Sequence, residues 1–376
     1  MGSKIRIVRL GDYIEQCDDR NEALTYGLDA VRGVSNTKLI QKTKANMTGR
    51  NLSTFHVVSK NHFVFNRRTT RNGERLGLGF NNTDSIYIFT EDYVHFKVSD
   101  ESILNPTYLY LFFLRDEFDR LVRYHSWGSA TEFFNWEDMQ RVYIPLPSAK
   151  EQEKVVNAWK ALREIKEQNE AKAAPLMQLC QSYIQELKHK YPLQEIGPYI
   201  EEYDLRNKDS IYNIDDVRGI SIEKKIIDTK ANMDGVKLTP YKIFKHGTFC
   251  YVTITSRNSD KITLSLNPNE RDYIVSSSYI TFKVKDEDKT VPEFLYLWFC
   301  RSEFDRYARF NSWGSAREAF SFEDMKRTEI PLPPPDVQRA IVNIYKCANE
   351  AKQIAAEADR LSREVCPALI QHTINN

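Results

Sequence analysis

Ser126-Trp127-Gly128-Ser129-Ala130, followed by Ile144-Pro145-Leu146-Pro147, recurs as Ser312-Trp313-Gly314-Ser315-Ala316 and Ile330-Pro331-Leu332-Pro333. Between 126 and 147, 15 of 22 positions match their partner at an offset of 186 residues (312 less 126). The same offset links Val31-Arg32-Gly33 with Val217-Arg218-Gly219, Thr43-Lys44-Ala45-Asn46-Met47 with Thr229-Lys230-Ala231-Asn232-Met233, and Phe118-Asp119-Arg120 with Phe304-Asp305-Arg306. Cys180 and Cys366 hold it to the far end of the chain. A period this long is a duplicated domain plus its connector, not a solenoid of short repeats. Two periods nearly exhaust the 376 residues.

Each copy divides in two. The first part, 5–147 or 191–333, is mixed in pattern. Phe55 to Val58, His62 to Phe65, Ser85 to Phe89 and Tyr93 to Val98 read as short strands, answered by Gly247 to Thr255 and Tyr279 to Val284. Pro106 and Pro292 open helices, with apolar residues continuing to Leu121 in the first copy. A turn at Ser126 to Ser129 precedes a short helix near Trp136 to Gln140 and a strand ending at the prolines.

The second part, 148–190 or 334–376, is one long amphipathic helix. Ser148 with Glu151 is a capping-box pattern. Val155, Trp159, Leu162, Ile165, Leu176, Leu179 and Ile184 form its apolar stripe. The partner stripe runs through Ile341, Ile344, Ala348, Ala351, Ile354, Ala358, Leu361, Val365 and Leu369. A helix of about 40 residues spans roughly 60 Å. Pro175 and Pro367 predict a kink or break in each. The fold class is α+β: two tandem similar α/β domains, separated by two long helices whose stripes pair as an antiparallel coiled coil.

Composition sets outer limits. No run of about 18 apolar residues marks a membrane span, and the first ten residues lack a signal-peptide pattern, so the expected location is cytoplasmic. Six cysteines include no C-x-x-C pair, and no histidine lies at zinc spacing from them. Reduced, mostly buried thiols and no metal site are expected. The net charge of +1 lacks the basic excess common in nucleic-acid binders, so any basic surface must be local.

Such local surfaces exist. Arg67, Arg68, Thr70, Arg71, Asn72 and Arg75 cluster in one loop; the aligned stretch holds Thr255, Ser256, Arg257, Asn258 and Lys261. Arg reads guanine or phosphate, Asn reads adenine, and Ser and Thr reach phosphates; a solvated hairpin loop has a similar composition. Lys44, Asn46, Lys230 and Asn232, with Arg32 and Arg218, are phosphate candidates or plain surface charge. Trp127 and Ser129, repeated as Trp313 and Ser315, mark a turn that either plugs a core with Trp or lets backbone approach phosphate at Gly. Identity between copies argues against base choice there. Base choice falls where the copies differ: Arg67 against Thr253, Arg68 against Ile254, Thr131 against Arg317.

Catalytic motifs are not convincing. Asn105-Pro106-Thr107-Tyr108 lacks the second proline of an adenine-methyltransferase motif, and its counterpart is Val291-Pro292-Glu293-Phe294. Gly77-Leu78-Gly79-Phe80 aligns with strand-like Thr263-Leu264-Ser265-Leu266. Glu223-Lys224-Lys225 reads as a solvated charge run, not a nuclease site.

The tandem order of globular part and long helix resembles the specificity subunits of type I restriction-modification systems over essentially the whole chain. The exits Ile144-Pro145-Leu146-Pro147 with Gln152, and Ile330-Pro331-Leu332-Pro333 with Gln338, look like that family's junction between target-recognition domain and helical spacer. Glu132 to Met139 and Glu318 to Met325 resemble one subgroup of those domains. The resemblance implies a non-catalytic reader of double-stranded DNA, with one half-site per domain. It implies paired spacers acting as a ruler and docking two modification (methyltransferase) subunits. S-adenosylmethionine would sit in those partners, with ATP and magnesium in motor-nuclease subunits; no cofactor is implied in this chain. The likeness of the two copies implies related half-sites. Two rivals share the architecture: the recognition subunit of a fused methylase-nuclease, and a bilobed coiled-coil scaffold for proteins.

Overall fold

In the computed structural model, the described residues are 6–69, 75–128, 132–255, 261–315 and 317–375. They form two compact units, Met1–Asn169 with Gln353–Asn376, and Glu170–Lys352.

In the first unit, a four-stranded antiparallel sheet has the order Ile14–Gln16, Tyr93–Val98, Phe63–Asn66, Leu78–Phe80. Side chains alternate across a strand, and this alternation gives the sheet two different faces. Phe63, Phe65, Phe80, Phe96 and Val98 join the main core with helix α1 (Pro106–Phe113) and helix α2 (Asp116–Tyr124). Phe63 stacks on Phe80 and Phe96 at 4.6 and 4.9 Å between centroids. The opposite face carries Val64, which packs with Val58 and Phe89 in a smaller cluster.

The apolar run after Pro106 is not one helix. The chain turns at Leu114-Arg115, where Arg115 is extended. The turn brings Phe113 and Phe118 to 4.7 Å, a packing gain that no proline or glycine announces. Helix α3 (Trp136–Gln140) follows, and Tyr143–Leu146 pairs with Arg6–Arg9.

Gly79 lies in a strand, not a phosphate-cradling loop. A Cβ there would meet Val34 Cγ1 at 2.6 Å and Ile40 Cγ1 at 2.8 Å, so glycine admits the hairpin of Arg32–Val34 and Ile40–Lys42.

The second unit repeats this plan. Its sheet has the order Ile200–Glu202, Tyr279–Val284, Phe249–Val252, Leu264–Leu266. Its core includes helices α5 (Pro292–Phe299), α6 (Ser302–Phe310) and α7 (Phe322–Lys326).

The repeated Phe-Asp-Arg motif has a structural cause. Asp119 forms a buried 2.5 Å ion pair with Lys38, and Asp305 forms the same pair with Lys224. Backbone N–H groups of Leu76 and Ile262 donate to these carboxylates. Both lysines have left-handed backbones, at φ 60°. Lys224 is therefore no member of a solvated charge run; it is a buried cation with a fixed partner. Burial alone pulls the Lys38 ammonium down and the Asp119 carboxyl up, and each partner opposes the shift of the other.

Helix α4 (Ala149–Lys190) begins with the Ser148–Glu151 capping box. Gln152 is buried beneath it. Its Oε1 accepts from Asn105 N at 2.8 Å, and its Nε2 donates to Ile103 O and Pro147 O. Gln338 repeats these bonds at the start of helix α8 (Pro335–Asn375), with Val291 N, Lys289 O and Pro333 O. One amide thus clamps the helix start to two loops in each unit. The predicted breaks do not occur: α4 runs through Pro175 and α8 through Pro367. Intact turns on both sides carry the helix across one missing hydrogen bond. The buried stripe also differs from the predicted one. Ile165, Leu179, Ile354, Val365 and Leu369 are exposed, while Ala173, Cys180, Ala355 and Ile370 are buried.

Candidate nucleic-acid interface

The repeated Trp turn is held by a small frame built alike in both units. Trp127 pairs with Phe133, and Arg68 pairs with Phe133 from the other side. Phe134 N donates to Arg67 O, and Thr69 N donates to Glu132 O. Arg123, in the last turn of α2, ion-pairs with Glu132 at 2.7 Å. In the second unit, Trp313 and Ile254 pair with Ala319, Phe320 N donates to Thr253 O, and Arg309 pairs with Glu318. The hydroxyls of Ser126 and Ser312 cap α2 and α6 by donating to Val122 O and Ala308 O.

This frame does not plug a core with Trp. Trp127 is 72% exposed and Trp313 67%. Tyr124 and Phe310, again 186 apart, are 78% and 79% exposed at the ends of α2 and α6. A repeated pair of exposed large aromatics is a candidate binding surface. Sequence reasoning missed Tyr124 and Phe310, although an aromatic residue at one helix end in both copies was a legible signal. Gly314 shapes the turn. Its φ is +141°, and a Cβ would lie 2.3 Å from Arg317 O. Gly314→Ala is expected to cost about 1–3 kcal/mol through backbone strain, read as a lowered denaturation midpoint of the second unit.

The predicted site residues separate into groups. Arg67, Arg68, Arg75, Lys261, Ser315 and Arg317 are exposed. Arg67 and Arg68 lie on the frame in the first unit, and Ser315 and Arg317 lie within the corresponding turn in the second. Arg68, Arg75 and Lys261 ion-pair with the exposed carboxylates of Asp92, Asp116 and Glu223 at 3.9, 3.7 and 3.2 Å. Such exposed pairs contribute little to stability.

Thr255 is buried, and its hydroxyl donates to Glu318 O, so it braces the frame. Arg32 and Arg218 are half-buried. Arg32 Nη1 donates to Asp29 O and Val31 O while the guanidinium sits 4.7 Å over Tyr87. Arg218 repeats this with Asp215 O, Val217 O and Tyr273. Both are struts of the hairpin.

Lys44, Asn46, Lys230 and Asn232 are exposed, but on a different loop. Met47 anchors that loop to Val31, Phe55 and Ile88, and Met233 does the same in the second unit. Asn46 Oδ1 and Asn232 Oδ1 accept turn amides from Thr48 and Asp234. Thr70, Arg71, Asn72, Ser129, Ser256, Arg257 and Asn258 lie outside the described residues, as does Thr131.

Cys17, Cys180 and Cys250 are buried free thiols, while Cys300 and Cys347 are exposed. Among the described residues, no helix is long and apolar enough to cross a membrane.

Each copy of the duplicated α+β unit presents exposed aromatics and cations beside positions where the copies differ. Comparison with known proteins shows what the chain resembles. Residues 189–355 match the type I restriction modification DNA specificity domain. The chain is similar in fold to the type I restriction-modification S subunit from M. genitalium, at 12% identity and a TM-score of 0.60, covering 98% of this chain and 96% of that one. Also similar are the HsdS subunit from Thermoanaerobacter tengcongensis, at 16% identity and TM-score 0.42 over 99% and 97% of the chains, and a structure described for complex assembly and conformational transition of the type I R-M system, at 12% and 0.41 over 100% and 98%. No curated protein matches the sequence. Residues 189–355 therefore resemble a type I restriction-modification DNA specificity domain, and the likeness to the M. genitalium S subunit extends the shared fold over the whole chain.

Proposed function

We propose that the chain is the non-catalytic DNA reader of a type I restriction-modification complex, acting in the cytoplasm on a bipartite duplex sequence. The observation that carries this reading is the repeated frame of Trp127 and Trp313, identical in its scaffold and different in Arg67-Arg68 against Thr253-Ile254. The scaffold docks on the DNA backbone, and the differing side chains choose bases. Target-recognition domains span 5–147 and 191–333, and helical spacers span 148–190 and 334–376.

The spacers form an antiparallel coiled coil that sets the distance between half-sites. Packing inside each unit supports this. In the first unit, Trp159 shares a core with Ile370, and Lys166 meets Asp359 at 2.7 Å. In the second, Cys180 Sγ lies 3.8 Å from Ile341 O. Partner numbers fall on α8 as they rise on α4. The spacers also dock two methyltransferase subunits, which hold S-adenosylmethionine and modify adenine; motor-nuclease subunits bring ATP and magnesium.

The test is DNA binding by the chain with its methyltransferase partner. Affinity for a cognate duplex should fall steeply with salt, because basic side chains displace counterions. Arg67→Ala with Arg68→Ala should flatten that slope by roughly one unit for each phosphate the two side chains neutralise. Arg71→Ala and Arg257→Ala should each impair a different half-site. Salt-independent binding, or no binding by the assembled complex, would refute the reading and favour a protein scaffold.

A further inference from the structure

The face of the first unit's sheet that turns away from the aromatic core holds an unusual group of side chains. Cys17 continues the Ile14–Gln16 strand, and its N–H donates to His95 O at 2.9 Å. His95 pairs in register with Val64, and His62 lies two residues before Val64, on the same face. Asp19 follows Cys17 as the chain leaves the sheet. One donor atom from each of Cys17, Asp19, His62 and His95 lies within 4.8 Å of the others.

We infer that Cys17, His62, His95 and Asp19 form a binding site for one divalent transition-metal ion of the zinc type.

Three observations carry the inference. First, the donors are a thiol, two imidazoles and a carboxylate, the set that selects zinc-like ions over magnesium or calcium. Around zinc, metal–ligand lengths of ~2.0–2.3 Å place tetrahedral ligand atoms about 3.3–3.7 Å apart. The group is therefore preformed to within side-chain rotations of about an ångström.

Second, His62 Nδ1 and His95 Nε2 face each other at 2.8 Å. At this distance one neutral ring donates its N–H to the other; with that ring in its other tautomer, both facing nitrogens carry lone pairs that a metal can share. His95 is fully buried, and its Nδ1 has no hydrogen-bond partner.

Third, the second unit supplies an internal control. At the same offset it has Tyr203, Leu205, Thr248 and Thr281. Tyr203 and Thr248 share a 2.8 Å hydrogen bond, the Tyr203 hydroxyl also donates to Ile243 O, and Thr281 Oγ1 donates to Tyr203 O. That copy fills the place with a closed hydroxyl network. The first copy replaces the network with metal-ligand chemistry, so one ion per chain is expected despite the duplication. It would pin the exit of the Ile14–Gln16 strand to the sheet beside the Arg20–His56 bridge.

The test uses the full chain, stripped with a chelator and titrated with Zn²⁺ alone and with Co²⁺ alone. Expected are one bound equivalent, a thiolate-to-cobalt charge-transfer band, and a rise in denaturation midpoint with Zn²⁺. Cys17→Ser should abolish the band. His62→Gln, at a half-buried position that tolerates change, should weaken binding more than about tenfold, a loss seen even for outer-sphere partners of a metal. An exposed control, His125→Gln, should bind as the parent does. Failure to bind one equivalent, or a cobalt spectrum and affinity unchanged in His62→Gln, would overturn the site. The readout is independent of DNA, so the proposed function stands or falls separately.

Discussion

Asp305→Ala is expected to unfold or severely loosen the second unit while leaving the first folded. The Asp305 carboxylate holds the buried Lys224 ammonium at 2.5 Å and accepts the Ile262 amide at 3.1 Å. The Lys224 carbonyl is itself fixed by Tyr296 Oη and Ser265 Oγ, so the lysine cannot swing out without dismantling the hairpin. Alanine leaves a buried cation without a counter-charge and an amide without an acceptor. Breaking a buried pair from one side costs ~3–5 kcal/mol, a large share of the about 5–15 kcal/mol that holds a domain together. Urea denaturation of the full chain should show one transition at much lower urea and the other unmoved. Asp119→Ala should do the same to the first unit. Replacing both partners, Lys224→Met with Asp305→Leu, should recover most of the stability, because no charge is then stranded. A change under about 1 kcal/mol for Asp305→Ala would mean that the pair is hydrated and not structural.

Trp313→Ala should leave the fold intact and weaken DNA binding at one half-site. The side chain is 67% exposed, so its removal opens no cavity. Its backbone bonds to Ala319 remain. Burying a large apolar side chain against the sugar–phosphate backbone contributes ~1.5–3 kcal/mol, which is roughly ten- to more than a hundredfold in affinity. Trp127→Ala should produce the matching effect at the other half-site. Duplexes carrying one altered half-site distinguish the two. Unchanged affinity for both variants, with the denaturation midpoints also unchanged, would remove the aromatic pair from the interface.

Much of the architecture was legible in sequence because a duplication is a pattern in residue identity, independent of how each element folds. The offset of 186 also located the Trp turn, the helix-start glutamines and the places where the copies diverge. Other features depend on tertiary neighbours. Lys224 sits between a glutamate and a lysine and reads as solvated, until Asp305, 81 residues away, is folded against it. The turn between α1 and α2 has no proline or glycine and follows from where Phe113 and Phe118 must pack. Cys17, Asp19, His62 and His95 lie at no metal-binding spacing; only strand pairing gathers them on one face. Arg32 and Arg218 look like free cations because their acceptors are main-chain carbonyls, to which residue type gives no clue.

Methylome sequencing tests the central claim most directly. The chain is co-expressed with its cognate methyltransferase in a host lacking adenine modification, and every modified adenine is mapped. A split sequence with a fixed spacer should emerge, and its two halves should become the same or closely related when Arg67-Arg68 is exchanged for Thr-Ile as in the second copy. Methylation at a continuous site, or methylation that persists when this chain is absent, would contradict the account.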